Sequence, residues 1–240
     1  MLTFLFPLVL SPSFACSLIL PHIPFARHAR RIGCPDGWRA PQRTAVRTFH
    51  TAFHKRRRVW YNPHMEKQQE YNIELIIGDI TTLQVDAIVN AANKTLLSGG
   101  GVDGAIHNAA GRELWNECFT LGGCETGEAK ITKGYKLPAK HVIHTVGPVY
   151  TGKEENAEML ELCYRNSLGL AMENDLHSIA FPAISAGAYG YPAKDAATIA
   201  LRTIRAWQEE HPSYDLRVTV VCYDKAMQEV YLDVMGAKAC

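Results

Sequence analysis

The chain has 240 residues, 47% hydrophobic and 20% charged, a balance that fits a globular domain with something added and excludes a collagen, a coiled coil and a wholly disordered chain. Its formal charge of +1 conceals an asymmetry: residues 1–65 hold 10 Lys and Arg against one acid, Asp36, which leaves 15 basic and 23 acidic residues, net −8, in the remainder. That acidic remainder is a poor candidate for holding nucleic acid through phosphate contacts.

Residues 1–20 carry no charge, but Pro7 and Pro12 interrupt them, and they lack the basic residue that opens a secretory signal. From Arg27 to Arg58 the chain becomes Arg-rich and nearly free of acids. Its segment RTAVRTFHTAFHKRRR reads as a weakly amphipathic basic stretch. Three readings stay open: a mitochondrial transit peptide, a basic tail whose Lys55, Arg56, Arg57 and Arg58 form a nuclear-localisation run, or a non-native leader ahead of Met65. The chain is therefore divided into a basic N-terminal extension, residues 1–65, and a folded domain, residues 66–240. An intracellular protein is expected, mitochondrial if the extension is a transit peptide and otherwise cytosolic and nuclear. No membrane partner is expected.

The folded part alternates strand and helix. YNIELIIG, residues 71–78, reads as a strand ending in a turn, and Val85 to Val89 as a β-branched run of the kind buried on both faces of a parallel sheet. The segment VDGAIHNAAGRELWNECFTL spaces Val102, Ile106, Ala109, Ala110, Leu114 and Cys118 by threes and fours and predicts one helix. A strand at 141–146, a helix over EENAEMLELCYRNSLGLAMEN, a strand at 177–184, a helix over 193–211, a strand at 216–223 and a closing helix from about Lys225 follow. Strand and helix alternating throughout predict an α/β fold, a three-layer α/β/α sandwich around a mostly parallel sheet. Ligands of such folds lie beyond the carboxyl ends of the strands.

The seven cysteines, odd in number and without a C-x-x-C pair, read as buried reduced thiols rather than a disulfide framework or zinc ribbon. His141 and His144, three apart in a strand, point to opposite faces and are expected to be structural. No metal is expected.

The strand-end loops hold GDIT (78–81), NAANKTLLSGGGVDG (90–104), AISAGAYGYP (183–192) and CYD (222–224). Two are rich in glycine and small residues, and one runs into a helix. Backbone N–H groups unscreened by Cβ, beside a helix N-terminus, suit an anion, and two such opposed segments suggest a diphosphate. Gly99, Gly101 and Gly104 also match G-x-G-x-x-G, the mark of a dinucleotide-binding oxidoreductase. About nine residues separate the strand from the first glycine, however, so the match is weak. Asp103 reads either as a first-turn acid stabilised by the helix dipole or as a carboxylate that orients or deprotonates a water. Asn90 and Asn93 suit ribose hydroxyls or loop backbone, Asp79 an exocyclic amine or a turn cap, and Tyr189 and Tyr223 a base, a ribose or the rim.

Together GDIT, VDAIVNAAN, GGGVDGAIH, AKITKGYKLPAKHVIHTVGP and AISAGAYGYP resemble a macrodomain of the MacroD type, the ADP-ribosyl hydrolases that include bacterial O-acetyl-ADP-ribose deacetylases. The likeness runs from about Ile73 to Tyr231. It implies a six-stranded mixed sheet with ADP-ribose bound across the strand ends and no cofactor or metal. Asp79 would accept from the adenine amine beside the Ile80 amide, and Tyr223 would stack on the base. Gly99, Gly100, Gly101 and Val102 would line one side of the diphosphate, and Ser185, Ala186, Gly187, Ala188 and Tyr189 the other. Asn93 would hold the distal ribose, and Asp103 would position or activate the attacking water.

The implied substrates are Asp- or Glu-ADP-ribosylated proteins and O-acetyl-ADP-ribose, with ADP-ribosylated nucleic-acid ends a further class, and ADP-ribose is the product; a monomer is expected. The competing reading is a module that binds ADP-ribose without turnover. Asn108 stands where many relatives have Arg or Lys, and Ala186 where Thr is common. The adjacent Glu pair of poly(ADP-ribose) glycohydrolases is absent, which argues against polymer trimming.

Overall fold

A computed structural model describes residues 71–236; the basic extension and its alternative readings, together with Cys16, Cys34 and Cys240, lie outside them. Six strands form one sheet: β1 (Ile73–Ile77), β2 (Ala87–Ala91), β3 (Ala129–Lys133), β4 (His141–Thr145), β5 (Ser178–Pro182) and β6 (Arg217–Cys222). Their spatial order is β1-β6-β5-β2-β4-β3, with every pairing parallel except β3 on β4.

Alternation within the strands makes both faces apolar. Ala87 and Val89 of β2 join Ile143, Ile179, Phe181, Val218 and Val220 in one core, while Ile88 joins Val142, Ala180 and Val221 in the other. The first core is covered by α3 (Glu155–Glu173), α4 (Ala193–Glu210) and α5 (Lys225–Met235). The second is covered by α1 (Gly101–Ala110) and α2 (Arg112–Thr120) through Ile106, Ala110, Leu114 and Cys118. The three-layer sandwich expected from the sequence follows. Among the described residues, no helix is long and apolar enough to cross a membrane.

Two expectations need correction. Strand and helix do not alternate throughout, because AKITK forms β3, an antiparallel edge strand returned to β4 through residues 134–140. The single helix predicted after residue 101 is two, since Gly111 has a φ of 89°, which ends α1 and begins α2.

The amino ends of the central strands are tied by one carboxylate. Asp86 accepts from Lys140 Nζ (2.7 Å), Ser178 Oγ (2.8 Å) and His177 N (3.1 Å), linking the starts of β2, β4 and β5. Burial pushes its carboxyl up, but those donors prevail and hold it at about 2, below the ordinary 3.8. A depressed folded-state pKa contributes stability above the unfolded value, so this contribution is complete above about pH 4 and is lost as the pH falls towards 2. Asp86→Asn should lower unfolding stability at pH 7 by about 1–2 kcal/mol in denaturant titration. The deficit should shrink towards pH 2.

Candidate functional site

A cleft of about 270 Å³ opens at the carboxyl ends of β2 and β5. These adjacent strands are where the chain's direction of travel across the sheet divides: β2 leads through α1 and α2 towards β3 and β4, and β5 leads through α4 to β6. Loops diverging from such a point leave a crevice, as doubly wound sheets do generally.

Of the residues singled out in the sequence, Asn93, Gly99, Gly100, Gly101, Val102 and Asp103 line one wall and Ser185, Gly187, Ala188 and Tyr189 the other. Both walls contain non-glycine residues with left-handed backbone: Leu96 and Ser98 (φ 61° and 75°) before α1, and Ser185 (φ 62°) after β5. Such conformations persist where the surroundings fix them. In the loop before α1 the fixing group is Asn93, whose Oδ1 accepts from Thr95 N (3.0 Å), Thr95 Oγ1 (2.6 Å) and Leu96 N (3.1 Å) and whose Nδ2 donates to Ser98 O (2.9 Å). Gly104 allows the same loop to press on α1, since a Cβ there would stand 2.6 Å from Gly99 O.

Asp103 lies in the first turn of α1, only 3% exposed. Its Oδ1 accepts from Asn90 Nδ2 at 2.7 Å and faces His107 Nε2 at 3.5 Å; its Oδ2 faces Asn93 Nδ2 at 3.4 Å on the cleft side. Burial raises the carboxyl above its ordinary value, against the opposing influence of Asn90 and His107. Burial likewise lowers His107, against the pull of Asp103. The result is a carboxylate with raised basicity at the floor of a cleft walled by small residues and by the N-terminus of a helix.

The remaining predicted residues take other places. Ala186 packs against the larger core instead of lining the cleft. Asp79 caps the 3-10 turn Ile80–Thr82, accepting from Thr81 N (2.9 Å) and Thr81 Oγ1 (2.8 Å), and Ile80 is buried beneath α1. Tyr223 is 93% exposed. Asp79 and Tyr223 stand just beyond Ile77 and Cys222, which are register partners, so both belong to the neighbouring β1–β6 end of the same edge.

Asn90 is not the loop donor its sequence context suggested. It belongs to β2, is fully buried, and contacts Asp103 and His144. His107, and Gly147 beyond β4, were also missed; Gly147 in HTVGP follows a strand as the other site loops do, and that position was the available signal. His107, Cys118 and His144 gather their ligand-type atoms within 4.8 Å of one another. However, His144 uses both ring nitrogens in hydrogen bonds, and burial pushes the Cys118 thiol up to about 12, so the group is built as a neutral polar core. Cys118, Cys124, Cys163 and Cys222 are free and buried, as expected.

A family model described as the Macro domain matches residues 89–200. The chain is 52% identical over 174 residues to ADP-ribose glycohydrolase MACROD1 of Rattus norvegicus, a match covering 71% of this chain and 67% of that protein. It is 56% identical over 166 residues to a macro domain-containing protein of Mesorhizobium japonicum, covering 69% of this chain and 94% of that one. Of the Mus musculus MACROD1 it spans about half, 52%. The Trypanosoma brucei macrodomain in complex with ADP-ribose superposes with a TM-score of 0.65 at 48% identity over 69% of each chain. The Oceanobacillus iheyensis macrodomain with ADP gives 0.64 at 44% identity, over 68% of this chain and 90% of that one. With the sheet order, the two glycine-rich walls and the relatives in agreement, this chain belongs to the macrodomain family.

Proposed function

We propose that this protein is a metal-independent hydrolase that removes mono-ADP-ribose from ester-linked Asp and Glu side chains and deacetylates O-acetyl-ADP-ribose. The observation that carries the reading is Asp103: a buried carboxylate, fixed by Asn90, open on one oxygen towards a cleft lined by two small-residue loops. A module that only binds a diphosphate has no use for an extra negative charge at that point.

The strand order supports the ligand's orientation. Passing along the strand ends from β1 to β6, β5 and β2, the groups met in order are Asp79 and the Ile80 amide, then Tyr223, then Ser185 to Tyr189, then the Gly99–Val102 loop with Asn93 and Asp103. At roughly 4.8 Å per strand these span about 14 Å. Adenine, diphosphate and distal ribose fit that sequence in order, with the adenine on Tyr223 and Asp79 and the ester at Asp103. The phosphates take N–H groups from both loops and the first turn of α1.

In the reaction, Asp103 Oδ2 accepts a proton as water attacks the ester carbonyl carbon. The bond from that carbon to the ribose oxygen breaks, the acyl group leaves as a carboxylic acid, and the proton held by Asp103 passes to the ribose oxygen. Burial that raises the Asp103 pKa makes it the better proton acceptor. Proteins carrying ester-linked ADP-ribose and O-acetyl-ADP-ribose are the substrates and ADP-ribose is the product. The basic composition of residues 1–65 supports a role in setting the compartment, mitochondrial if they are a transit peptide and otherwise cytosolic and nuclear.

The test is release of ADP-ribose from an Asp/Glu-mono-ADP-ribosylated protein by the full chain and its Asp103→Ala variant. The native chain should release it and the variant should be slowed by at least about 100-fold. ADP-ribose affinity should be unchanged or tighter, because a charge near the diphosphate is gone. Binding without release by the native chain would make it a reader. The rate should fall on the acid side at a pH above the ordinary Asp pKa of 3.8, since the proton acceptor must be ionised and its pKa is raised. Tyr223→Ala should weaken ADP-ribose binding by about 1–3 kcal/mol in calorimetric titration if the ring stacks on the base.

A further inference from the structure

Behind Asp103, starting from Asn90, lies a run of buried polar side chains, of which the hydrolysis as described uses only Asn90. Thr132 of β3, His144 of β4 and Asn90 of β2 stand on three neighbouring strands, and His144 and Asn90 are register partners. All three are buried, His144 and Asn90 completely. Asn90 Nδ2 is within hydrogen-bond reach of Asp103 Oδ1 (2.7 Å) and of His144 Nδ1 (3.1 Å). His144 Nε2 is 2.9 Å from Thr132 Oγ1.

The proton positions follow from what each group is able to do. An amide nitrogen only donates, so Asn90 gives one N–H to Asp103 and the other to His144 Nδ1, which must accept. The His144 proton is then on Nε2 and goes to Thr132 Oγ1. The Thr132 hydroxyl turns its own proton to Lys133 O (3.3 Å) or Val142 O (3.4 Å). Burial agrees with a neutral ring, lowering the His144 pKa to about 3, as does the neighbouring His107.

The consequence concerns the Asn90 amide. Were it turned over, its oxygen would face both the Asp103 carboxylate and the His144 lone pair. With Nδ1 as acceptor, only one orientation satisfies both neighbours, and it is the one that donates to Asp103.

We infer that His144, as the neutral Nε2–H tautomer bridging Asn90 and Thr132, is a positioning residue that acts through Asn90 to fix the Asp103 carboxylate for water attack. This deepens the hydrolase reading and rests on it for its kinetic consequence, though the hydrogen-bonded chain itself does not.

The test compares His144→Phe, which keeps a ring but removes both nitrogens, with His144→Asn, whose amide oxygen takes the place of Nδ1. In ester hydrolysis by the full chain, His144→Phe should lower kcat by about 10- to 100-fold with KM and ADP-ribose affinity within about threefold of native. His144→Asn should recover most of that loss. Thr132→Val, nearly isosteric, should cause a smaller fall in kcat of the same kind and gives an answer even if His144→Phe does not fold. Independently of activity, the Asp103 carboxyl followed by 13C NMR should titrate at higher pH in His144→Phe than in the native chain, because a donor to its charged form is no longer held in place.

Native-like kcat and Asp103 titration in both His144→Phe and Thr132→Val would overturn the inference. So would equal losses in the Phe and Asn variants, or a fall in rate matched by lost ADP-ribose binding. If the native chain releases nothing, the hydrolase reading fails, and the Asp103 titration alone decides whether His144 positions the carboxylate.

Discussion

A carboxylate leaves water only where donors and dipoles replace its hydration. Asp103 meets that requirement through one short hydrogen bond from Asn90, the first turn of α1 and the nearby His107 ring. Each of these needs something further. Asn90 has to lie near the end of a central strand, α1 has to begin where the glycine loop ends, and His107 has to sit one turn along the same helix. The packing of α1 against β2, with Ile106 and Ala110 anchored in the smaller core, supplies all three.

The topology turns this local arrangement into a site. Chain reversal between β2 and β5 separates two loops that elsewhere in the sheet would lie side by side, and Gly147, just beyond β4, closes in on Ser185, whose hydroxyl an added Cβ would strike. The opposite ends of the same strands are held by Asp86 and carry no cleft lining. One edge of the sheet is thus committed to cohesion and the other to an opening with a buried carboxylate at its floor.

The layered α/β fold was legible because five strands are apolar runs and the helices keep their spacing. β3 was less so: AKITK is five residues long and carries two lysines, a composition suited to an edge strand but weak as a strand signal. The break at Gly111 was hidden because Ile106, Ala110, Leu114 and Cys118 continue one apolar stripe across it into the same core, so periodicity alone does not register the interruption. The glycine loops, Asn93 and Asp103 were found because they sit together in sequence beside a helix start. Asn90, His144 and Thr132 were not assembled, since they are partners across three strands and nothing local marks an Asn or a His in an apolar run as belonging to a network. The double duty of Asn93, bracing the loop while lining the cleft, likewise appears only in three dimensions.

The central claim is that ADP-ribose lies across the strand ends with its distal ribose at Asp103. A crystal structure of the Asp103→Asn chain soaked with ADP-ribose tests it most directly. The account predicts adenine against Tyr223 and Asp79, the diphosphate between the Gly99–Val102 and Ser185–Tyr189 loops, and the distal ribose within hydrogen-bond reach of position 103. A ligand lying in the reverse direction, or with its distal ribose away from position 103, would contradict it.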